Sequence, residues 1–367
     1  MPPRQFLPSG LSAIGFAELH GWHEDDHHQA LVAFQRSLPD LLQTVRGRWT
    51  GLDETDLKAF ADHACRAHNA KDAREFFETW FKPCRVQTNA GEGLFTGYYE
   101  PLLHGSRVAN QNFPVPVYAR PDDLVQYSPG PAEEKGLAWG RTVCGQIQPY
   151  DTRKEIEQGS LAGRARIICW LDSWIDAFFL HVQGSGRVVL ENGQVLRLGY
   201  AAKSGWPYTS IGAVLIARGA IPVAAMSMQQ LRHWLSQDGQ RARELMWENK
   251  SYIFFRELEE LDPALGALGT AGVQLTPGRS LALDAAVWPM GLPFWLDVQL
   301  PGGAKPEAMR RLMVMQDTGS AITGVVRGDV YWGWGPEAEW WAGHMKSRGV
   351  LTVLLPRFLP GVMEMAA

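Results

Sequence analysis

The sequence predicts a mainly β fold with helices, an α+β class, and three observations carry that prediction. Apolar residues recur at helical spacing near the N-terminus and in one central stretch. From about Gly91 to Gly199 the chain turns to short apolar runs broken by Pro and Gly. After Tyr252 short strand-like runs return, separated by turn residues.

Taken in order, the first helix is marked by Leu31, Phe34, Leu38, Leu41 and Leu42. Asp53 caps a second helix through Leu57, Phe60 and Ala64. A third runs from Asp72 through Phe76, Phe77 and Trp80 and ends before Pro83. The runs LFTGYYEP, FPVPVYARP, RIICWL and AFFLHVQGSG then read as strands. Asn192-Gly193 between VVL and VLRLGY is a hairpin signal, because a tight two-residue turn needs φ > 0. Two helices follow, one capped near Thr209 or Ser210 and stopped by Gly219, the other starting at Ser227. LALDAAVWPMGLPFWLDV, RRLMVMQDTGSAITG, GDVYWGWG and VLTVLLP read as the closing strands, with a short helix from Glu337 to Met345. There is no fixed-period repeat and no low-complexity linker.

A chain of 367 residues is more than one ordinary domain holds, so two domains are expected, with a core large enough to need no disulfide or metal. A formal net charge of −4 argues against a broad basic face, and so against nucleic acid as a partner. The 15 Trp keep carbohydrate in view, since sugar rings stack on flat apolar faces, although most such residues serve ordinary cores. Cys65, Cys84, Cys144 and Cys169 show no zinc spacing; Cys65 with Cys84 and Cys144 with Cys169 are candidate bridges, and buried free thiols are the other reading. No stretch is apolar and long enough to span a membrane, and MPPRQFLPSG lacks the pattern of an export signal. The expectation is a soluble chain, either cytosolic or exported with its signal removed.

Three groups invite a chemical reading. His23, Glu24, Asp25, Asp26, His27 and His28 resemble a metal cluster, but adjacent residues rarely converge on one ion; acids preceding a helix fit its positive end better. Gly184-Ser185-Gly186 lacks the length and Lys of a phosphate loop and the pattern of a nucleophile elbow. It reads as a tight turn offering backbone N–H groups, beside Gln183, to a polar ligand. Asp317 and Asp329 sit in glycine-rich strand-and-turn settings, QDTGSAITG and RGDVYWGWG. Trp332 and Trp334 follow Asp329, with Tyr331 between the acid and the pair, and are read as aromatic faces flanking it. An acid held in such surroundings stays protonated and can donate to a leaving oxygen, although most Asp residues in turns only cap the backbone.

The motifs LALDAAVWPMG, MQDTGSAITG and GDVYWG resemble the three-aspartate (3D) domain. FTGYYEP, AFFLHVQGSGRV, GYAAKSGWPYTSIG, MSMQQLRHWL, WENKSYIFFRE and LTPGRSLALD resemble the membrane-bound lytic transglycosylase A family, glycoside hydrolase family 102. The resemblance covers most of residues 91 to 355. It implies a double-psi β-barrel domain, formed by residues 1–105 and 255–367 with the helical segment. A β-rich substrate-binding domain, 106–254, is inserted in it, with the glycan groove between the two. It implies Asp329 as the catalytic acid/base, Asp317 as its supporting acid and Asp284 as a structural acid. Thr96, Tyr98, Gln183, Gly184, Ser185, Tyr208 and Trp332 are the expected substrate-binding residues, with no metal and no cofactor. The sequence departs from the family where Arg327-Gly328 precede Asp329 in place of an aromatic and often a His, and where no lipid-anchor Cys is present.

The implied reaction is non-hydrolytic cleavage of the MurNAc–GlcNAc β-1,4 bond of peptidoglycan, leaving 1,6-anhydroMurNAc ends. The expected location is the periplasm or the periplasmic face of the outer membrane, with a precursor attached to the membrane and a monomeric chain. Two rivals are a muramidase that uses water with Asp317 as second carboxylate, and a non-catalytic, expansin-like wall-binding module.

Overall fold

A computed structural model of the chain describes residues 7–8, 10–87, 92–127, 138–302, 307–319 and 321–365. Gly91, Ser320 and most of the MPPRQFLPSG segment lie outside them. Contacts divide the chain into two units, Met1–Tyr99 with Asp262–Ala367, and Glu100–Leu261. These junctions differ from those expected at 105/106 and 254/255. The strand Leu102–Ser106 pairs with Gly186–Leu190, and Ile253–Glu257 pairs with Val195–Lys203, so both belong to the sheet of the second unit.

The first unit opens with three helices, His27–Arg48, Glu54–Arg66 and Ala70–Trp80. Each is started by a side chain that accepts from a free N–H of the first turn: Asp26, Asp53 and Asn69. The third helix therefore begins before the expected Asp72, because the Asn69 amide oxygen accepts from both Lys71 N and Asp72 N at 3.0 Å. Phe34, Phe60, Phe76, Phe77 and Phe81 are buried where the helices meet, with ring centroids 5.2–6.0 Å apart.

Six strands return on themselves to form the barrel. Their order is Lys346–Pro356, Pro293–Leu300, Glu307–Asp317, Ser280–Ala282, Arg327–Trp334 and Gly93–Glu100, which pairs back to Lys346–Pro356. Ser280–Ala282 is the short strand that decides the site. It runs parallel to Glu307–Asp317 on one side and antiparallel to Arg327–Trp334 on the other. The helix His27–Arg48 is tied to the barrel by Gln316, whose amide donates to Ala33 O and Ser37 Oγ at 2.8 and 2.6 Å. The acidic stretch before that helix is a helix start. Asp26 accepts from Gln29 N, Asp25 pairs with buried Arg279 at 2.8 Å, and His27 packs edge-on against Trp22.

The second unit holds a six-stranded sheet in the order Ile253–Glu257, Val195–Lys203, Gly186–Leu190, Leu102–Ser106, Ile167–Leu171 and Val115–Tyr118. A bridge between Ala119 and Phe255 links its two edges. The Asn192-Gly193 turn joins two antiparallel strands, with Gly193 at φ 81°. AFFLHVQGSG, expected as a strand, is mostly helix, Trp174–Gln183. Ser173 caps its start and Gly184 ends it in the left-handed region at φ 77°. The run misleads because the helix is buried on two sides: Ala177 and Leu180 face the sheet core, Phe178 and Phe179 a helical one. A continuous apolar run carries no period to separate helix from strand. A further helix, Gly239–Trp247, is capped by Asp238 and buries Ala242, Leu245 and Met246. All four cysteines are free thiols; Cys84 and Cys169 are buried, Cys65 and Cys144 exposed. Among the described residues no helix is long and apolar enough to cross a membrane.

Candidate active site

The two acids singled out in the sequence come together through one residue. Ala282 is the register partner of Asp317 on one side and of Asp329 on the other. Cross-strand partners project to the same face of a sheet, so the two carboxylates flank this short strand, about 10 Å apart at Cα by ordinary strand spacing. The strand Gly93–Glu100 supplies the rest by alternation. Phe95 and Tyr99 are buried, while Thr96 and Tyr98 turn to the acids. On Arg327–Trp334 the same alternation buries Val330 and leaves Asp329 and Tyr331 on the site face, where Tyr331 packs on Tyr98 with centroids 5.2 Å apart.

Asp329 is lightly held. Its Oδ1 accepts from Thr96 Oγ1 at 2.6 Å, and Arg327 Nη2 donates to that same Thr96 oxygen at 2.8 Å. Burial pushes the Asp329 carboxyl up to about 6, and neighbouring Asp317 adds to the rise, against the Thr96 hydrogen bond and the Arg327 charge. Asp317 is tightly held. Oδ1 accepts from Thr270 N, Thr270 Oγ1 and Thr318 N at 3.0, 2.8 and 2.9 Å, and Oδ2 from the Tyr98 hydroxyl at 3.0 Å. Burial raises this carboxyl as well, with those four donors opposing it. The Tyr98 phenol is pushed well above its ordinary value by burial and by the carboxylates beside it, so it remains a donor.

Gly328 answers to packing. A Cβ there would stand 2.9 Å from the Phe95 ring, so the strands approach this closely only because the residue before Asp329 has no side chain. Gly97 does the same for Trp332, whose indole nitrogen would lie 2.5 Å from a Cβ.

The other expected residues are placed as follows. Asp284 heads a turn: Oδ1 accepts from Ala286 N at 2.9 Å and Oδ2 from Gly324 N at 2.8 Å. Trp332 does not flank Asp329. Period-two alternation puts it on the opposite strand face, where it stacks on Trp341 with centroids 5.1 Å apart. Gln183 and Ser185 are half-buried in the second unit, at the end of helix Trp174–Gln183, with Gly184 between them as its C-cap. Tyr208 is 45% exposed in the same unit. Thr270 and Thr318 are not among the expected site residues, and Tyr331 is expected only as part of the aromatic run after Asp329. Thr318 and Tyr331 are near neighbours of the acids, whereas Thr270 reaches Asp317 across 47 positions with no local signal. Arg327 stands out in the sequence only as a departure in the motif.

Comparison with known proteins also divides the chain into two parts, with bounds a few residues from those of the units. The MltA-specific insert domain profile matches residues 94–256 and the 3D domain profile residues 279–355. The crystal structure of membrane-bound lytic murein transglycosylase from Agrobacterium tumefaciens is 33% identical, covers 95% of this chain and 98% of its own, and superposes with a TM-score of 0.82. The chain belongs to the membrane-bound lytic murein transglycosylase A family. The monoclinic crystal form of MltA from Neisseria gonorrhoeae is 31% identical, with a TM-score of 0.80 over 94% of this chain and 92% of that one. Membrane-bound lytic murein transglycosylase A of Vibrio cholerae is 34% identical over 264 residues, 71% of this chain. This chain spans 64% of that curated relative's length. The expected fold class, barrel with a second β-rich domain, is that of the family's solved structures.

Proposed function

We propose that this chain is a lytic transglycosylase that cleaves the MurNAc–GlcNAc β-1,4 bond of peptidoglycan, with Asp329 as both acid and base. The observation that carries the reading is the asymmetry of the two acids. Asp329 has a carboxyl raised to about 6 and one hydrogen bond to a side-chain hydroxyl, so it can carry a proton near neutral pH. Asp317 has both oxygens engaged by four donors and serves as a fixed negative charge near the reacting centre.

In the proposed reaction Asp329 gives its proton to the glycosidic oxygen as the C1–O bond breaks. Asp317 stabilises the oxocarbenium-like charge left on the MurNAc ring. Asp329, now a carboxylate, takes the proton from the C6 hydroxyl of that sugar, whose oxygen bonds to C1 and closes the 1,6-anhydro ring. The nucleophile comes from the substrate itself, already close, and no water is consumed. Gln183, Gly184, Ser185, Tyr208 and the Thr96–Tyr98 strand are proposed to contact the glycan, and the inserted unit to be its binding domain. A periplasmic location, at the outer membrane or free, follows from the substrate. A muramidase acting through Asp317 is the weaker reading, because an acid held by four donors, three of them on one oxygen, is a poorer base for water than one held lightly.

The test is mass spectrometry of muropeptides released from purified peptidoglycan. Anhydro ends, one water lighter than hydrolysis products, are expected. Asp329→Asn should lower their release about 10²–10⁴-fold. Reducing MurNAc ends would replace the reading by the hydrolase, and binding without soluble product by the wall-binding module.

A further inference from the structure

Arg327 and Asp329 lie two residues apart on one strand and converge on the same atom, Thr96 Oγ1, of the strand beside them. The distances are 2.8 Å from Arg327 Nη2 and 2.6 Å to Asp329 Oδ1. The hydrogen inventory of this chain of contacts has one solution. A guanidinium has only donors and keeps its protons throughout the working range of an enzyme. Thr96 Oγ1 therefore accepts from Arg327. A threonine hydroxyl has a single proton, and with Arg327 pointing its own proton at the oxygen, that proton goes to Asp329. Oδ1 of Asp329 is then an acceptor in every protonation state of the acid.

Arg327 is itself fixed. Its Nη1 donates to the Gly328 carbonyl, and the side chain is half-buried against its own strand. Without this anchor the Thr96 hydroxyl could turn and accept from a proton on Oδ1, and the acid would be split between two arrangements.

We propose that Arg327 is a positioning residue that acts through Thr96 to confine the transferable proton of Asp329 to Oδ2. Oδ2 is then the oxygen that protonates the leaving group and recovers the proton from the C6 hydroxyl. This deepens the reading of Asp329 as the acid/base and rests on it. The other groups on this face are Asp317, Tyr98 and Tyr331, and Lys346 is the exposed register partner of Thr96. None of them donates to Thr96 Oγ1 among the described contacts.

The experiment compares Thr96→Val, Thr96→Ser, Arg327→Met and the Thr96→Val/Arg327→Met double variant by the pH profile of anhydro-product release. Thr96→Val should lower kcat by about tenfold with KM within about twofold, the cost of one charge-assisted hydrogen bond at the reacting group. Thr96 and Arg327 both favour the carboxylate, so losing either shifts the high-pH fall in activity upward, by about one pH unit for Thr96. Thr96→Ser keeps the hydroxyl and should remain within about threefold of the parent. On the Thr96→Val background, Arg327→Met should add less than about twofold.

An equal Arg327→Met effect in both backgrounds would mean that Arg327 does not act through Thr96, and the proposal fails. Unmoved pH limbs in Thr96→Val and Arg327→Met would reduce the pair to scaffolding and overturn it too. Asp329→Asn in parallel separates the failures. Survival of activity there removes the acid assignment and the relay with it, whereas loss there with unmoved limbs elsewhere removes the relay alone.

Discussion

The two units bury charge in opposite ways. Among the described residues of the second unit, the buried carboxylates Glu100 and Glu157 each meet two guanidinium groups. Glu100, fully buried, lies 3.3 Å from Arg187 and 3.3 Å from Arg197. Glu157 lies 3.3 Å from Arg153 and 3.3 Å from Arg243. Arg153 also donates to the Asn249 and Ser251 carbonyls, and to His181, which deep burial and then the Arg153 charge hold neutral. In the barrel unit Asp317 is met by neutral donors alone, and Asp329 by one hydroxyl with Arg327 behind it. Where the barrel unit needs a charge for structure it also pairs it, as in Asp25 with Arg279. Pairing with guanidinium groups thus marks charges that hold the fold, whereas Asp329, the most lightly compensated of these acids, is the one proposed to change protonation state.

The largest stability effect is expected where compensation is fullest. Glu100→Gln removes the carboxylate shared by Arg187 and Arg197 while both guanidinium groups stay buried. Removing one member of such a group typically costs about 3–5 kcal/mol, because the desolvated charges it balanced remain. Denaturant unfolding of the variant measures it. A loss below about 1 kcal/mol would put Glu100 with the weakly coupled surface pairs and break the contrast between the units.

How much of this was legible in the sequence depends on the range of the contacts. Local signals read well: Asp53, Ser210 and Ser227 cap the helices expected of them, and Asn192-Gly193 turns the expected hairpin. Asp317 and Asp329 stand out by their glycine-rich settings, but their roles, and Asp284 altogether, rest on motif resemblance, since spacing alone does not separate a catalytic Asp from a turn cap. What brings Asp317 and Asp329 together is a parallel pairing at a three-residue strand, which no local pattern announces. The aromatic reading failed on a count of one. The site face after Asp329 continues at Tyr331, and Trp332 belongs to the other side. Arg327 was visible only as an oddity, because its meaning depends on Thr96, 231 positions away.

A smaller effect sharpens the same contrast from the side of the acid. Asp329 has a carboxyl raised to about 6 in the folded chain, against 3.8 for its ordinary value. Between those values the native state binds more protons than the unfolded one, so stability falls as pH rises through this window. By pH 8 the burden is at most about 3 kcal/mol, from roughly two units at 1.36 kcal/mol each. Asp329→Asn, which cannot ionise, should therefore be more stable than the parent at pH 8 by about 1–3 kcal/mol, with the gap closing near pH 4. Thermal unfolding of both proteins across that range tests it. A variant less stable at pH 8 would make Asp329 a structural acid of the compensated kind.

Asp284 completes the series with the smallest effect. Both of its oxygens serve backbone N–H groups, Ala286 N within its own turn and Gly324 N across to another loop. Asp284→Ala should cost about 1–2 kcal/mol for a lost turn cap and an N–H left without its acceptor. The pH profile of activity should keep its shape, because the carboxylate is spent on the turn and not on the neighbouring acids. Stability and activity measured on the same preparation decide between the roles. Activity lost with stability intact would place Asp284 in the chemistry, and the division between charges that build the barrel and charges that react would have to be redrawn around all three aspartates.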